Sequence, residues 1–210
     1  RCRHLPDSLR GDCLMADPGY IVDGVLTDGE AWVGIAHAAV SLPAASLTFT
    51  STDDGQTGDF SQYMDLVVVI YAASTRVAAD SLLNCFLSGD STSGNYAYQY
   101  LVGDGASVSA YGSTGVSRGI DTRHIPAASS TNVFGAVTIH LFDVNSGKYK
   151  SAVTANASDR DGAGQVSMTG NSWLSQAPIT SIAFSDLYGD NIAAGSKFSL
   201  FGVLPRMVTA

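Results

Sequence analysis

Residues 178–203 read Pro178-Ile179-Thr180-Ser181-Ile182-Ala183-Phe184-Ser185-Asp186-Leu187-Tyr188-Gly189-Asp190-Asn191-Ile192-Ala193-Ala194-Gly195-Ser196-Lys197-Phe198-Ser199-Leu200-Phe201-Gly202-Val203. Thr180, Ile182 and Phe184 alternate with Ser181 and Ala183. This is the period of two that a half-buried strand imposes, because successive side chains leave opposite faces. A loop rich in Gly, Asp and Asn follows, and then Phe198 and Leu200 fall to one side while Lys197 and Ser199 fall to the other. The pattern predicts two strands joined as a hairpin.

Upstream of this stretch the same signal repeats. Leu47 and Phe49 alternate with Thr48 and Thr50, and strands are predicted over 62–73, 81–87, 96–102, 107–111, 132–144, 149–155 and 165–169. The compact turn Asn145-Ser146-Gly147 predicts that the strands on either side of it pair as antiparallel neighbours. Short strands at this spacing, punctuated by turn residues, argue for a sandwich or barrel rather than βαβ units. The expected fold is an all-β, antiparallel β-sandwich of jelly-roll type over residues 46–206, preceded by an extended N-terminal arm over 1–45. Within the arm, Ala31 to Leu42 is the best helix candidate, with Asp28 as N-cap and Gly34 against it. An extended segment with one helical turn fits equally well. Met15-Ala16-Asp17-Pro18 reads like a translation start, which would make residues 1–14 an upstream extension.

Composition agrees with a β fold. Glu30 is the single glutamate of the 210 residues, and Lys148, Lys150 and Lys197 are the only lysines. Acidity therefore comes from aspartate, which favours turns over helix interiors. A formal net charge of -8 argues against nucleic acid as a partner, since phosphate binding needs clustered Lys and Arg. The longest apolar run, Leu66 to Ala73, is one strand long and far short of the roughly 20 residues of a membrane helix. Arg1 to Gly11 has no apolar core of a signal peptide, and Cys2, Cys13 and Cys85 form no disulfide or metal spacing. Folding in a reducing cytoplasm, without membrane, is the expectation.

One strand breaks the alternation. Met64, Leu66, Val68 and Ile70 share one face, and Tyr63, Val67, Val69 and Tyr71 share the other. A strand apolar on both faces is covered on both. Either the N-terminal segment with Trp32, or another subunit, lies across the second face, or the strand is central within one monomer. Tyr63, Val67, Val69, Tyr71 and Trp32 are thus candidate oligomer or capsid-interface residues. Tyr96, Tyr98 and Tyr100 project from one face of a later strand, where they form either a glycan-stacking row, an inter-strand ladder or a subunit contact.

No catalytic constellation emerges. Gly115-Val116-Ser117-Arg118-Gly119 matches the Gly-x-Ser-x-Gly nucleophile elbow, but no helix pattern follows it. His4, His37, His124 and His140 lack metal-ligand spacing. Asp53-Asp54-Gly55 and Asp159-Arg160-Asp161-Gly162 resemble parts of calcium loops without the later bidentate Glu, and turn chemistry explains them more simply. The chain is expected to be no enzyme, with no metal and no cofactor.

The closing segment, with its turn Asn191-Ile192-Ala193-Ala194-Gly195-Ser196 and last strand Leu200-Phe201-Gly202-Val203, resembles the C-terminal end of tailed-phage virion proteins. Glu30 to Ala36, Ser46 to Ser51, Tyr63 to Ile70 and Asn95 to Tyr100 resemble, in that order, segments of small β-sandwich structural proteins of the same phages. The likeness spans most of 30–204 as a pattern, with only the C-terminal motif at all specific. It implies a structural protein of the virion, made in the host cytoplasm and carried on the capsid surface. The leading expectation is a capsid decoration, or cement, protein that bridges major capsid subunits as a homotrimer. The alternative is a receptor- or carbohydrate-binding fibre module.

Overall fold

The computed structural model describes residues 21–22, 25–26, 32–128, 132–160 and 162–204. Its strands are β1 (Ile21–Val22), β2 (Val25–Leu26), β3 (Trp32–Ala39), β4 (Ser46–Thr50), β5 (Asp65–Ala72), β6 (Asp80–Leu87), β7 (Tyr96–Gly103), β8 (Val108–Thr114), β9 (His124–Pro126), β10 (Gly135–Phe142), β11 (Lys150–Ser158), β12 (Gln165–Trp173), β13 (Ser181–Asp186) and β14 (Lys197–Val203). Among the described residues the only helical segment is a single 3-10 turn, Phe60–Gln62. Two antiparallel sheets pack face to face as a β-sandwich. One has eight strands in the order β3-β14-β5-β10-β11-β12-β7-β8, the other four in the order β4-β13-β6-β9. A jelly roll has eight strands shared between two sheets, so the eight-and-four division is described here as a sandwich alone.

The two strands that open the sequence argument are not a hairpin. β13 pairs with β4 and β6 in the small sheet, whereas β14 pairs with β3 and β5 in the large one. They face each other across the core, with the Phe184 and Phe198 rings 5.2 Å apart. The connecting loop is stitched to both sheets. Ile192 exchanges backbone hydrogen bonds with Ala44 at 2.8 and 3.0 Å, and the Ser196 hydroxyl accepts from the Ala73 amide at 3.2 Å. Alternation alone reports a strand's two faces and not its partner. The turn at 145–147 does join paired strands, β10 and β11.

Within the helix candidate Ala31–Leu42, for which an extended segment fitted equally well, Trp32–Ala39 is a strand. β3 runs along the edge of the large sheet against β14, with a register shift between Leu200 and Phe201. Val33, Ile35, Ala36 and Ala38 pack on the core, and a β-bulge absorbs the broken alternation that reads as helical in sequence. The sandwich therefore begins by Trp32 rather than at residue 46. The remainder of the expected arm, including the proposed extension 1–14, lies outside the described residues except for the short β1–β2 pair.

The core lies between the small sheet and the first four strands of the large one: Leu66, Val68, Ile70, Val137, Ile139, Leu141, Ile182, Phe184, Phe198 and Leu200 are all buried there. Each such side chain withdrawn from water stabilises the fold by roughly 1.5–3 kcal/mol. The small sheet is too narrow to cover the whole of its partner, and over β11, β12 and β7 the covering layer is the segment 116–127, irregular but for the three residues of β9. Irregular backbone needs hydrogen-bond partners, and the large sheet supplies them. Asn171 Oδ1 accepts from the Asp121 amide at 2.8 Å, and Asn156 Nδ2 donates to the His124 carbonyl at 2.8 Å. Asn171 Nδ2 in turn donates to Thr154 Oγ1 at 3.1 Å.

Candidate interaction surface

That polar interior inverts much of two strands. On β11 and β12 the buried residues include Thr154, Asn156, Ser158, Ser167, Thr169 and Asn171 beside Lys150, Ala152 and Trp173, while Val153, Val166 and Met168 face outward. Thr169 has no exposure, whereas Val166 and Met168 are 66% and 62% exposed. On β7, Tyr96 and Tyr98 are buried and Leu101 points out. With Val108 and Ala110 of β8, these residues make an outer face of aliphatic and small side chains. No outward position on β11, β12, β7 or β8 is charged, in a chain of which 14% is Asp, Glu, Lys or Arg. Exposed faces of antiparallel sheets are ordinarily polar, and contiguous apolar patches of this extent mark contact surfaces. The face is also hollow. Gly112 and Gly170, with Gln99, Ser151 and Val153 around them, floor an open groove of about 910 Å³.

The other half of the outer face is aromatic. Trp32 and Phe201 approach to 6.0 Å, Tyr71 stacks on Phe134 at 5.0 Å, and His140 stacks on Phe142 at 4.0 Å. Of the candidate interface residues, Trp32, Val69 and Tyr71 are exposed here. Val67 points to the same face yet is buried, because its cross-strand neighbours are the bulky Phe201 and His140. Val69 lies between the smaller Ser199 and Thr138 and stays open. Tyr63 is not on this face. It precedes β5, its ring fills the space a Cβ on Gly202 would need (2.2 Å), and its hydroxyl donates to the Thr57 carbonyl at 2.8 Å. Tyr63 belongs to the core.

The tyrosine row faces inward, with Tyr96 and Tyr98 buried and Tyr100 half-buried. Tyr96 is 1% exposed; its hydroxyl accepts from the Leu87 amide at 3.1 Å and donates to the Asp90 carbonyl at 2.9 Å. Burial pushes this phenol upward. Tyr98 is covered by Arg118, which also donates to its hydroxyl. Arg123 lies 3.8 Å over Tyr100. Both guanidinium groups reach the fully buried carboxylate of Asp121, each at 3.5 Å.

No reactive centre forms among the described residues. Ser117 sits in an exposed turn, and the chain after it leads into β9 rather than a helix. His37 pairs with Ser199 at 2.9 Å, His124 with Asp80 at 3.4 Å and His140 with Asp65 at 2.9 Å. His4 lies outside the described residues. Burial lowers the His124 pKa despite Asp80, and Asp80 itself, although partly buried, is held low by Arg160 at 2.6 Å and by His124. No group of metal-binding side chains assembles among the described residues. Asp54 and Asp159 instead accept from backbone amides two and three residues on, as turn-forming aspartates do. Cys85 is buried and unpaired, its thiol pushed up by burial and so unreactive. Cys2 and Cys13 lie outside the described residues. No described helix is long and apolar enough to cross a membrane.

No protein-family model, no characterised protein and no solved structure matches this chain. The surface therefore stands on its own residues. Val166, Met168, Leu101, Val153 and Val108 carry it, and the sequence gives one signal for them: strict alternation of apolar with Ser, Thr and Asn along β11 and β12. Alternation leaves open which set goes inside.

Proposed function

We propose that this chain is a structural protein of a tailed-phage virion, a capsid decoration (cement) protein that stabilises the head by bridging major capsid subunits. The observation that carries the reading is the inversion of β11 and β12, which leaves an uncharged, largely apolar sheet face toward solvent. A face of this kind holds on to a protein surface and offers a small molecule few polar anchors. The outer face of all eight strands, about 4.8 Å apart and seven to nine residues long, spans on the order of 900 Å², and its uncharged half over β11, β12, β7 and β8 about 450 Å², against about 800 Å² per partner in a standard stable interface. The resemblance of the C-terminal segment to phage virion proteins supplies the partner, the major capsid protein. A homotrimer at threefold or quasi-threefold positions is the arrangement proposed, since closed symmetry satisfies each subunit's contact surface. Repetition over a shell multiplies modest contacts into resistance against the packaged genome.

The reading is tested on particles. Virions lacking the protein should lose heat and chelator resistance, which the purified wild-type chain should restore on re-addition and a Met168→Lys chain should not. Stripped virions as resistant as intact ones overturn it. The alternative, a receptor- or carbohydrate-binding fibre module, would use the tyrosine row or the 103–131 region; of the row, Tyr96 and Tyr98 are buried and Tyr100 is half-buried.

A further inference from the structure

β8 ends the large sheet. β7 pairs with one of its edges, and among the described residues no strand pairs with the other and no loop makes backbone hydrogen bonds to it. Alternate residues of such a strand present N–H and C=O groups outward. Sheets ordinarily protect a free edge by shortness, a bulge, proline or an inward charge. The other three edges fit that rule: β3 carries the register shift, β9 has three residues and β4 five. β8 has seven residues, unbroken register with β7, and neither charge nor proline. All but Ser113 are exposed.

Its sequence, Val108-Ser109-Ala110-Tyr111-Gly112-Ser113-Thr114, reads nearly the same in both directions about Tyr111. Antiparallel pairing of two identical strands is two-fold symmetric, so residues equidistant from the centre meet. Here Ser109 meets Ser113, Ala110 meets Gly112, and Val108 meets the similarly shaped Thr114, with Tyr111 on the axis. We propose that β8 pairs antiparallel with β8 of a second copy of this chain, about a two-fold axis through Tyr111, joining two eight-stranded sheets edge to edge. The occupant follows from self-complementarity and from charge. In a chain of net charge -8, an uncharged strand is a place where two copies meet without repulsion, and it offers a charged peptide nothing to pair with. Val108, Ala110, Gly112 and Thr114 continue the uncharged outer face, so pairing also makes that face continuous across two copies. The contact needs no virion. On a capsid it would link neighbouring trimers across two-fold positions.

The test uses the purified full chain with Cys2→Ser and Cys13→Ser, leaving only buried Cys85. Tyr111→Cys places two thiols on the axis, where facing Cα atoms lie about 4.5–5.5 Å apart, within disulfide reach. Under mild oxidation it should cross-link to two-chain species at least roughly tenfold faster than Val77→Cys, an exposed residue far from the edge. Sedimentation of the wild-type chain should show association through a two-fold contact. Ser109→Lys with Ser113→Lys sets like charges opposite one another and should weaken that association at least roughly tenfold. A wild-type chain that sediments as a monomer at all accessible concentrations overturns the proposal. So does cross-linking at Tyr111 no faster than at Val77, or association that a folded double-lysine variant leaves unchanged. None of these outcomes bears on whether the chain decorates a capsid, which the virion experiment decides separately.

Discussion

Met168 and Thr169 are consecutive on β12 and live in opposite environments: the methionine is 62% exposed and the threonine has no exposure at all. Their order is the reverse of what transfer from water favours for an isolated domain. Thr169 is inside because it shares the face of β12 that carries Ser167, Asn171 and Trp173 into the sandwich. Met168 is outside on a face with no charge. The pair therefore separates two kinds of mutational effect that ordinarily coincide, one on folding and one on contact.

Met168→Lys should leave thermal stability within about 0.5 kcal/mol of wild type, as substitutions at open surface positions do. It should abolish attachment of the chain to its partner surface. Calorimetry of the variant with a particle-binding assay checks both halves. A large loss of stability would mean that Met168 is packed within the chain.

Thr169→Val should raise stability by about 1 kcal/mol, since a buried hydroxyl without a partner costs free energy that a methyl group does not. Thr169 Oγ1 has no hydrogen-bond partner. Denaturant midpoints at unchanged slope measure it, and a destabilised variant would show that the hydroxyl is satisfied.

Gly202→Ala should lower stability by about 3 kcal/mol, at the upper end of overpacking costs. The added Cβ would stand 2.2 Å from the Tyr63 ring. Combining it with Tyr63→Leu should recover part of the loss, a coupling that a double-mutant cycle reads directly.

Tyr96→Phe should cost about 2 kcal/mol, because it leaves the buried Leu87 amide without an acceptor. Equilibrium unfolding in urea measures the loss, and a neutral result would mean that the amide finds another partner.

Asp90 gives the chain an acid-sensitive tie. Although partial burial opposes it, hydrogen bonds from Trp173 Nε1 at 2.8 Å, Asn95 Nδ2 at 2.8 Å and the Thr92 amide at 2.9 Å hold its pKa down to about 2. A carboxyl with a depressed folded-state pKa contributes stability that is complete above its ordinary value near 3.8 and is lost as pH falls toward about 2. Asp90→Asn should therefore melt below wild type at neutral pH, with the gap closing across that window. A gap that persists at the acid end would assign the effect to shape rather than charge.

Several features were legible in the chain itself. The strands β6, β7, β10 and β11 follow from alternation, β5 from a short apolar run, and the β10–β11 pairing from Asn145-Ser146-Gly147. That β5 is apolar on both faces was legible too, but whether its second face, with Val69 and Tyr71, would be covered within the chain was left open. Other features were not. The pairing of β13 with β4 rather than β14 depends on contacts more than a hundred residues apart in sequence. β3 hid behind its bulge. Tyr63 shares its parity with Val67 but lies before the strand begins, so parity misplaced it. The Gly of Leu200-Phe201-Gly202-Val203 reads only as a motif in sequence, and its reason is the Tyr63 ring against it.

The amino-acid order by itself determined that this protein is built of two-faced strands, since a period of two survives in any surroundings. It determined also that charge is scarce along them. Which face of β11 and β12 looks inward was decided by the tertiary structure alone. A strand's two faces are equivalent until something covers one of them, and here the cover is the segment 116–127, whose backbone pairs with Asn156 and Asn171 inside, while Val166 and Met168 stay in the open.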